Sequence, residues 1–350
     1  MTVEQHIWGV TPEGEAIVIY TMRNERGSEV QLSNIGAGIV SVKFADREGK
    51  VEEVTLGYRS PLDYIGDGAC MGKTVGRVAN RIAKGRMTIE GKEYRLEVNN
   101  GPNHLHGASR NFGNRLWESS VEYNRVIFNL LSEDGDGGYP HEVAVQVVYD
   151  FDDEDNLEIT LMAKSDGTTP VNLTNHTYWN LSGNPESTIL DHKLQLNASK
   201  VAESNDVQIP TGLMLDVEGT AMDFRTPRRL GDGIADEFNH IKDFHGYDHF
   251  FAVDGWQKNI LGEVGELSDP HSGRALRILS SQTGCMVYTG NYLSGSPEGR
   301  HGGYYADYAG VAIECQGFPD AVNQPAFPSV LVKEGELYCQ KIIFQLRVLA

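Results

Sequence analysis

Three polar segments interrupt stretches that otherwise read as ordinary strands. The first is Gly76-Arg77-Val78-Ala79-Asn80-Arg81-Ile82, followed by Asn103-His104-Leu105-His106-Gly107. Asn80 beside Arg81 supplies rigid hydrogen-bond donors that suit a polyhydroxylated ligand. The competing fate for an arginine is to lay its stem along a surface strand with its head in water. His104 and His106 lie two apart, so on a regular strand they share a face, as a metal pair would. Metal sites normally take three or four ligands, no second cluster has ligand spacing, and no metal is expected.

The second segment, Val171-Asn172-Leu173-Thr174-Asn175-His176-Thr177-Tyr178-Trp179-Asn180-Leu181, mixes amides and aromatic rings. If it is one regular strand, Asn172, Thr174, His176, Tyr178 and Asn180 form a single polar face, either exposed or lining a pocket. Taken alone, His176 reads as a hydrogen-bonded structural histidine. The third segment is Gly246-Tyr247-Asp248-His249-Phe250-Phe251, with Ile313-Glu314-Cys315-Gln316-Gly317-Phe318-Pro319-Asp320 downstream. Val311, Ala312 and Ile313 make the approach to Glu314 apolar enough for an interior strand, where an unpaired carboxylate is costly.

The elements that must position these groups are strands. Ile342, Phe344, Leu346 and Val348 share one face at the C-terminus, Val143, Val145 and Val147 alternate likewise, and Leu157, Ile159 and Leu161 do so against Glu158 and Thr160. Residues 87–89 and 94–96 flank Glu90-Gly91-Lys92 as a hairpin. Further strands are predicted at 16–22, 121–130, 192–196 and 275–279, one helical turn at 61–65 and a short helix within 231–244. Many evenly spaced strands with few helices predict an all-β protein, a large antiparallel β-sandwich or barrel, with residues 1–350 forming one domain.

Composition narrows the partners. Forty per cent hydrophobic and 23 % charged residues describe a globular chain, and its net charge of −19 makes nucleic acid and anionic membranes poor partners. The polar, acidic N-terminus lacks a signal-peptide apolar run, and no stretch approaches a membrane span. Cys70, Cys285, Cys315 and Cys339 form no C-x-x-C pair, so free thiols in a reducing, cytoplasmic setting are expected.

Together the segments resemble the aldose 1-epimerases, also called galactose mutarotases. The resemblance rests on Gly-Arg-Val-Ala-Asn-Arg-Ile at 76–82, Leu-His-Gly at 105–107, Asn-Leu-Thr-Asn-His at 172–176, Asp248-His249, Thr289-Gly290-Asn291 and Pro-Asp-Ala-Val-Asn-Gln-Pro at 319–325. It runs in order from about residue 10 to the end and implies the galactose mutarotase-like sandwich. It also implies His176 as general acid, Glu314 as general base, and Arg81, His106, Asp248, Gln282 and neighbouring Asn80 as sugar ligands. Two departures touch the site: Ala108 follows Gly107 where relatives carry a second glycine, and Cys315 replaces a frequent threonine.

The implied substrate is a free aldose such as galactose or glucose, with no cofactor and a monomer or homodimer as the working unit. Changing anomer requires a proton to leave the C1 hydroxyl and another to reach the ring oxygen, so one base and one acid are enough. Ordinary pKa values near 4.3 and 6.5 predict Glu⁻ facing HisH⁺ between them, with Asp248 helping to hold the imidazolium charged. The alternatives left open are a glycoside hydrolase using Asp248 and Glu314, a hexose-6-phosphate epimerase, for which no basic cluster is evident, and a non-catalytic sugar-binding module.

Overall fold

Strict alternation builds the largest element of the fold, seen in a computed structural model that describes residues 1–349. Val143–Phe151 and Asn156–Ser165 pair antiparallel, burying Val143, Val145, Val147, Tyr149 and Phe151 beside Leu157, Ile159, Leu161 and Ala163. Leu337–Val348 continues the ladder with Leu157 opposite Phe344 and Ile159 opposite Ile342. Each fully buried side chain of this kind contributes about 1.5–3 kcal/mol. Nine strands assemble in this sheet, ending with Arg274–Ser280, Gly262–Ser268, Lys193–Leu196 and Arg228–Arg229.

A six-stranded sheet packs against it in the order Tyr178–Trp179, Val311–Gln316, Gly284–Tyr288, Asp248–Ala252, Lys200–Ser204 and Pro210–Asp216. Val311, Ile313, Cys315, Cys285, Val287 and Phe251 share one core with Ile342, Phe344 and Leu346 of the larger sheet, and Trp179 meets Phe344 edge-on at 5.0 Å. Because successive residues face opposite ways, the other side of this sheet must carry Glu314, Tyr288 and Asp248. Five N-terminal strands, from Thr2–Val10 to Val51–Glu53, form a third sheet. Every ladder among the described strands is antiparallel, so the architecture is an all-β sandwich.

Two buried arginines tie these parts together. Arg274 donates to Phe44 O, Lys50 O, Leu181 O, Ser182 O and the Glu52 carboxylate, joining the nine-stranded sheet to the N-terminal one. Arg77 donates to Ser132, Pro140, His141 and Thr169 and fixes the segment that leads to Asn80 and Arg81.

Three sequence expectations need correction. Residues 121–130 are not one strand: Glu118–Glu122 and Arg125–Ser132 form a hairpin turning at Tyr123-Asn124, both at positive φ. Within 231–244 there are only two short 3₁₀ turns, Leu230–Gly233 and Phe238–His240. The 171–181 segment is broken, because Thr174–Asn175 pairs with Thr74–Val75 whereas Tyr178–Trp179 pairs with Val311 and Ala312. The expected hairpin forms as Arg86–Ile89 and Lys92–Arg95. No helix of the described residues is long and apolar enough to cross a membrane.

Candidate active site

The strand change within 171–181 has a local consequence: it leaves His176 between two ladders, projecting from a break. Its backbone is held on both sides, with its N–H donating to Lys73 O (2.8 Å) and its carbonyl accepting from Gly72 N (3.0 Å). The ring packs against Tyr178 at 5.0 Å and His106 at 5.6 Å. Its Nε2 lies 3.5 Å from Oε1 of Glu314, which arrives from the interior strand Val311–Gln316 of the six-stranded sheet. Imidazole and carboxylate thus meet in a cavity of about 440 Å³, within the usual range for small-molecule sites.

Asn80 sits at φ +64, its Oδ1 accepting from Arg81 N (2.7 Å). That turn throws the Arg81 guanidinium into the cavity, where Nε donates to Asn100 Oδ1 (3.0 Å) and Nη2 stands 3.6 Å from Asp248 Oδ2. The Asn80 backbone N–H donates to His106 Nδ1 (3.1 Å), so neutral His106 carries its proton on Nε2 and presents a donor. The cavity therefore contains fixed donors at Arg81 and His106 and an acceptor at Asp248, flanking the His176–Glu314 pair.

Burial dominates the electrostatics and overturns the expected charge state. Removal from water pushes the Glu314 carboxyl well above the usual carboxylate range, reinforced by the Asp248 charge and opposed by Arg81. The same desolvation lowers His176 to about 4, against the pull of Asp67 and Asp248 toward the charged form. Asp248 thus acts on the imidazole as foreseen but is outweighed. The pair rests as neutral imidazole beside neutral carboxyl, with the same proton count as Glu⁻ and HisH⁺. Nδ1 of His176 and Oε2 of Glu314 are buried without a hydrogen-bond partner. Orphan atoms of this kind in a polar cavity are places for a ligand's hydroxyls.

The cavity brings together Asn80, Arg81, His106, His176, Asp248 and Glu314, but not Gln282. Gln282 is buried elsewhere, its amide donating to Leu173 O (3.2 Å) and Tyr338 OH (3.0 Å), because it lies in the turn before Gly284–Tyr288 rather than on that strand. His104 also parts from His106. His106 leaves the strand at φ +56, so His104 turns instead to Glu97 O and Tyr139 OH. Ala108 accepts a positive φ of 51, and Cys315 packs in the core away from the cavity. Sequence reasoning missed Asn100 and Gln208, loop residues outside any strand pattern. It also missed Tyr288, which alternation within Gly284–Tyr288 could have flagged.

The same geometry bears on metal binding. Among the described residues one set, His106, His176 and Glu314, has ligand atoms within 4.8 Å of one another. His106 can coordinate through Nε2 only by losing the proton that the Asn80 N–H bond keeps there, which leaves two ligands. The donor set does not fit a resident metal.

Comparison with known proteins finds relatives that span nearly the whole chain. The family model described as Aldose 1-epimerase matches residues 18–345. The chain is 39 % identical to the galactose mutarotase of Bos taurus, over 99 % of each chain. It is 33 % identical to the aldose 1-epimerase of Escherichia coli K12, over 96 % of this chain and 97 % of that one. Among solved structures, an aldose epimerase homologue from C. elegans superposes with a TM-score of 0.86 at 30 % identity, covering 94 % of this chain and 98 % of that chain. The galactose 1-epimerase of Lactobacillus acidophilus gives 0.85 at 27 % identity, over 100 % and 99 %.

Proposed function

Since the chain belongs to the aldose 1-epimerase family, we propose that it interconverts the α and β anomers of free aldohexoses with Glu314 and His176 as its proton-transferring pair. It is an isomerase, an aldose 1-epimerase. The observation that carries the residue assignment is the 3.5 Å approach of His176 Nε2 to Glu314 Oε1 at the cavity wall. The two oxygens that exchange protons in a cyclic aldose both sit on C1, so acid and base must lie close together.

Ring opening runs through the Glu⁻/HisH⁺ tautomer, reached when Glu314 passes its proton to His176. Glu314 then takes the C1 hydroxyl proton while His176 delivers its proton to the ring oxygen, which restores the neutral pair. The open aldehyde then turns about C1–C2, and closure on the other face returns both protons. Arg81, His106 and Asp248 hold the remaining hydroxyls through this rotation, with Asn80 fixing the orientation of the first two. Each well-placed acid or base contributes about 10²–10⁴-fold. The step changes no oxidation state and forms no bond to the protein.

The hydrolase reading has no observation in its favour. We take residues 1–350 as one catalytic domain acting in carbohydrate metabolism, as a monomer or homodimer. A cytoplasmic setting is supported by the four cysteines, all free thiols. Polarimetry of freshly dissolved α-D-galactose and α-D-glucose tests the activity. Accelerated decay of optical rotation without any new reducing ends is expected, and decay at the buffer rate overturns the proposal.

A further inference from the structure

Gln208 has no place in the scheme above, yet its side chain reaches into the cavity and touches both charged sugar ligands. Its Oε1 accepts from Arg81 Nη2, and its Nε2 donates to Asp248 Oδ2. The loop that delivers it joins Lys200–Ser204 to Pro210–Asp216 and is closed on itself. Asn205 Oδ1 accepts from Val207 N (3.1 Å) and Ile209 N (3.0 Å), Gln208 N donates to Asn205 O (2.9 Å), and Asn103 Nδ2 donates to Val207 O (3.1 Å). Gln208 itself stands at φ +61. Holding a long side chain still costs rotamer entropy, which two hydrogen bonds to charged groups offset.

We infer that Gln208 is a positioning residue that keeps Arg81 and Asp248 apart as a preset sugar clamp. Left alone, a guanidinium and a carboxylate close to about 2.8 Å and satisfy each other. Here Nη2 and Oδ2 remain 3.6 Å apart, because the amide takes a hydrogen from one and gives a hydrogen to the other. The rest of both charged groups stays available to sugar hydroxyls. Without the amide, Arg81 and Asp248 collapse together, and a sugar must break that pair before it binds. The penalty falls on binding and leaves proton transfer at C1 untouched.

The inference rests on the reading of Arg81 and Asp248 as sugar ligands, so the experiment separates the two. Initial rates with α-D-galactose are measured for Gln208→Leu, Gln208→Glu and Asp248→Asn, with thermal melting as the check on folding. Gln208→Leu is expected to raise KM about tenfold, the worth of one hydrogen bond to a charged group, with kcat within about twofold. Gln208→Glu keeps the acceptor for Arg81 but sets a carboxylate against Asp248, and is expected to raise KM at least as far. A wild-type KM in Gln208→Leu alongside a raised KM in Asp248→Asn overturns the clamp and spares the sugar-ligand reading. A loss confined to kcat in a normally melting Gln208→Leu also overturns it. Wild-type KM in both variants removes Asp248 as a ligand, and the clamp with it.

Discussion

Replacing Glu314 by glutamine should destroy activity and strengthen the fold at once, and the two effects have separate causes. The residue is 2 % exposed, with one carboxyl oxygen 3.5 Å from His176 and the other without a partner. Its carboxyl is raised well above the usual range by burial and by Asp248. A group whose pKa is higher folded than unfolded gives stability in full below its unfolded value, near 4.3, and loses it as pH rises through the folded value. Glutamine has no proton to lose. At pH 8 the variant should therefore gain about 1–3 kcal/mol, the cost of a buried group left unsatisfied. With 350 residues unfolding at about 2.1 cal/mol/K each, that raises Tm by about 1–4 °C. The gap should close toward pH 4, where the wild-type carboxyl is protonated in both states. Differential scanning calorimetry across pH 4–8, with polarimetry on the same samples, reads both effects. The expected rate loss is about 10²–10⁴-fold. Activity within threefold of wild type refutes the base assignment, and a variant that melts lower at pH 8 refutes the burial argument.

The proton inventory of the pair sets the pH profile of kcat/KM. The working state carries one proton, so the acid limb should fall near His176's value of about 4 and the alkaline limb at the raised value of Glu314. An unshifted pair would already be declining at about pH 6.5, and a decline centred there would sink the neutral-pair description. Asp248→Asn removes a negative charge that favours the protonated form of both groups, so both limbs should move to lower pH; limbs that stay in place would show that Asp248 exerts no field on the pair. Arg274→Met strips donors from the carbonyls of Phe44, Lys50, Leu181 and Ser182 and leaves Glu52 without its buried partner. It should cost about 3 kcal/mol, or about 4 °C in Tm, with kcat/KM of the folded protein unchanged. An unaltered melting curve would mean that this arginine does not join the sheets.

Legibility in the sequence followed the range of the forces involved. Alternation over 143–147, 157–161 and 342–348 identified the strands of the main core because period-2 burial is a local pattern. Glu314 could be placed on an interior strand for the same reason: Val311 and Ile313 are buried on its flanks. The hairpin at 118–132 was missed because Tyr123 and Asn124 turn the chain at positive φ without a glycine to announce it. His104 and His106 were wrongly given one face because a single left-handed residue ends the strand between their two environments. Gln282 was carried over by motif alone, and its surroundings, Leu173 and Tyr338, come from segments 109 and 56 residues away. Gln208 was invisible for a similar reason. Its partners lie 127 and 40 residues off, and a glutamine in a turn carries no signal of its own.

The charge reversal in the buried pair bears on how the pair passes protons in both directions. In water a proton offered to glutamate and histidine goes to histidine, by the roughly two units that separate 4.3 from 6.5. Burial acts on the two groups in opposite directions, lifting Glu314 and lowering His176, and so carries their affinities past one another. Asp67 and Asp248 pull His176 back up and Arg81 pulls Glu314 back down, which narrows the gap that desolvation opens. A bound sugar's hydroxyls, by supplying partners to the orphan Nδ1 and Oε2, would narrow it further. Proton transfer is easiest in both directions when donor and acceptor have matched affinities. Anomers differ little in energy, so an epimerase has no preferred direction to favour, and a strongly biased pair would help one half of the cycle at the expense of the other. A buried acid and a buried base whose affinities are drawn toward one another by charges that do not themselves transfer protons suit such a reversible reaction.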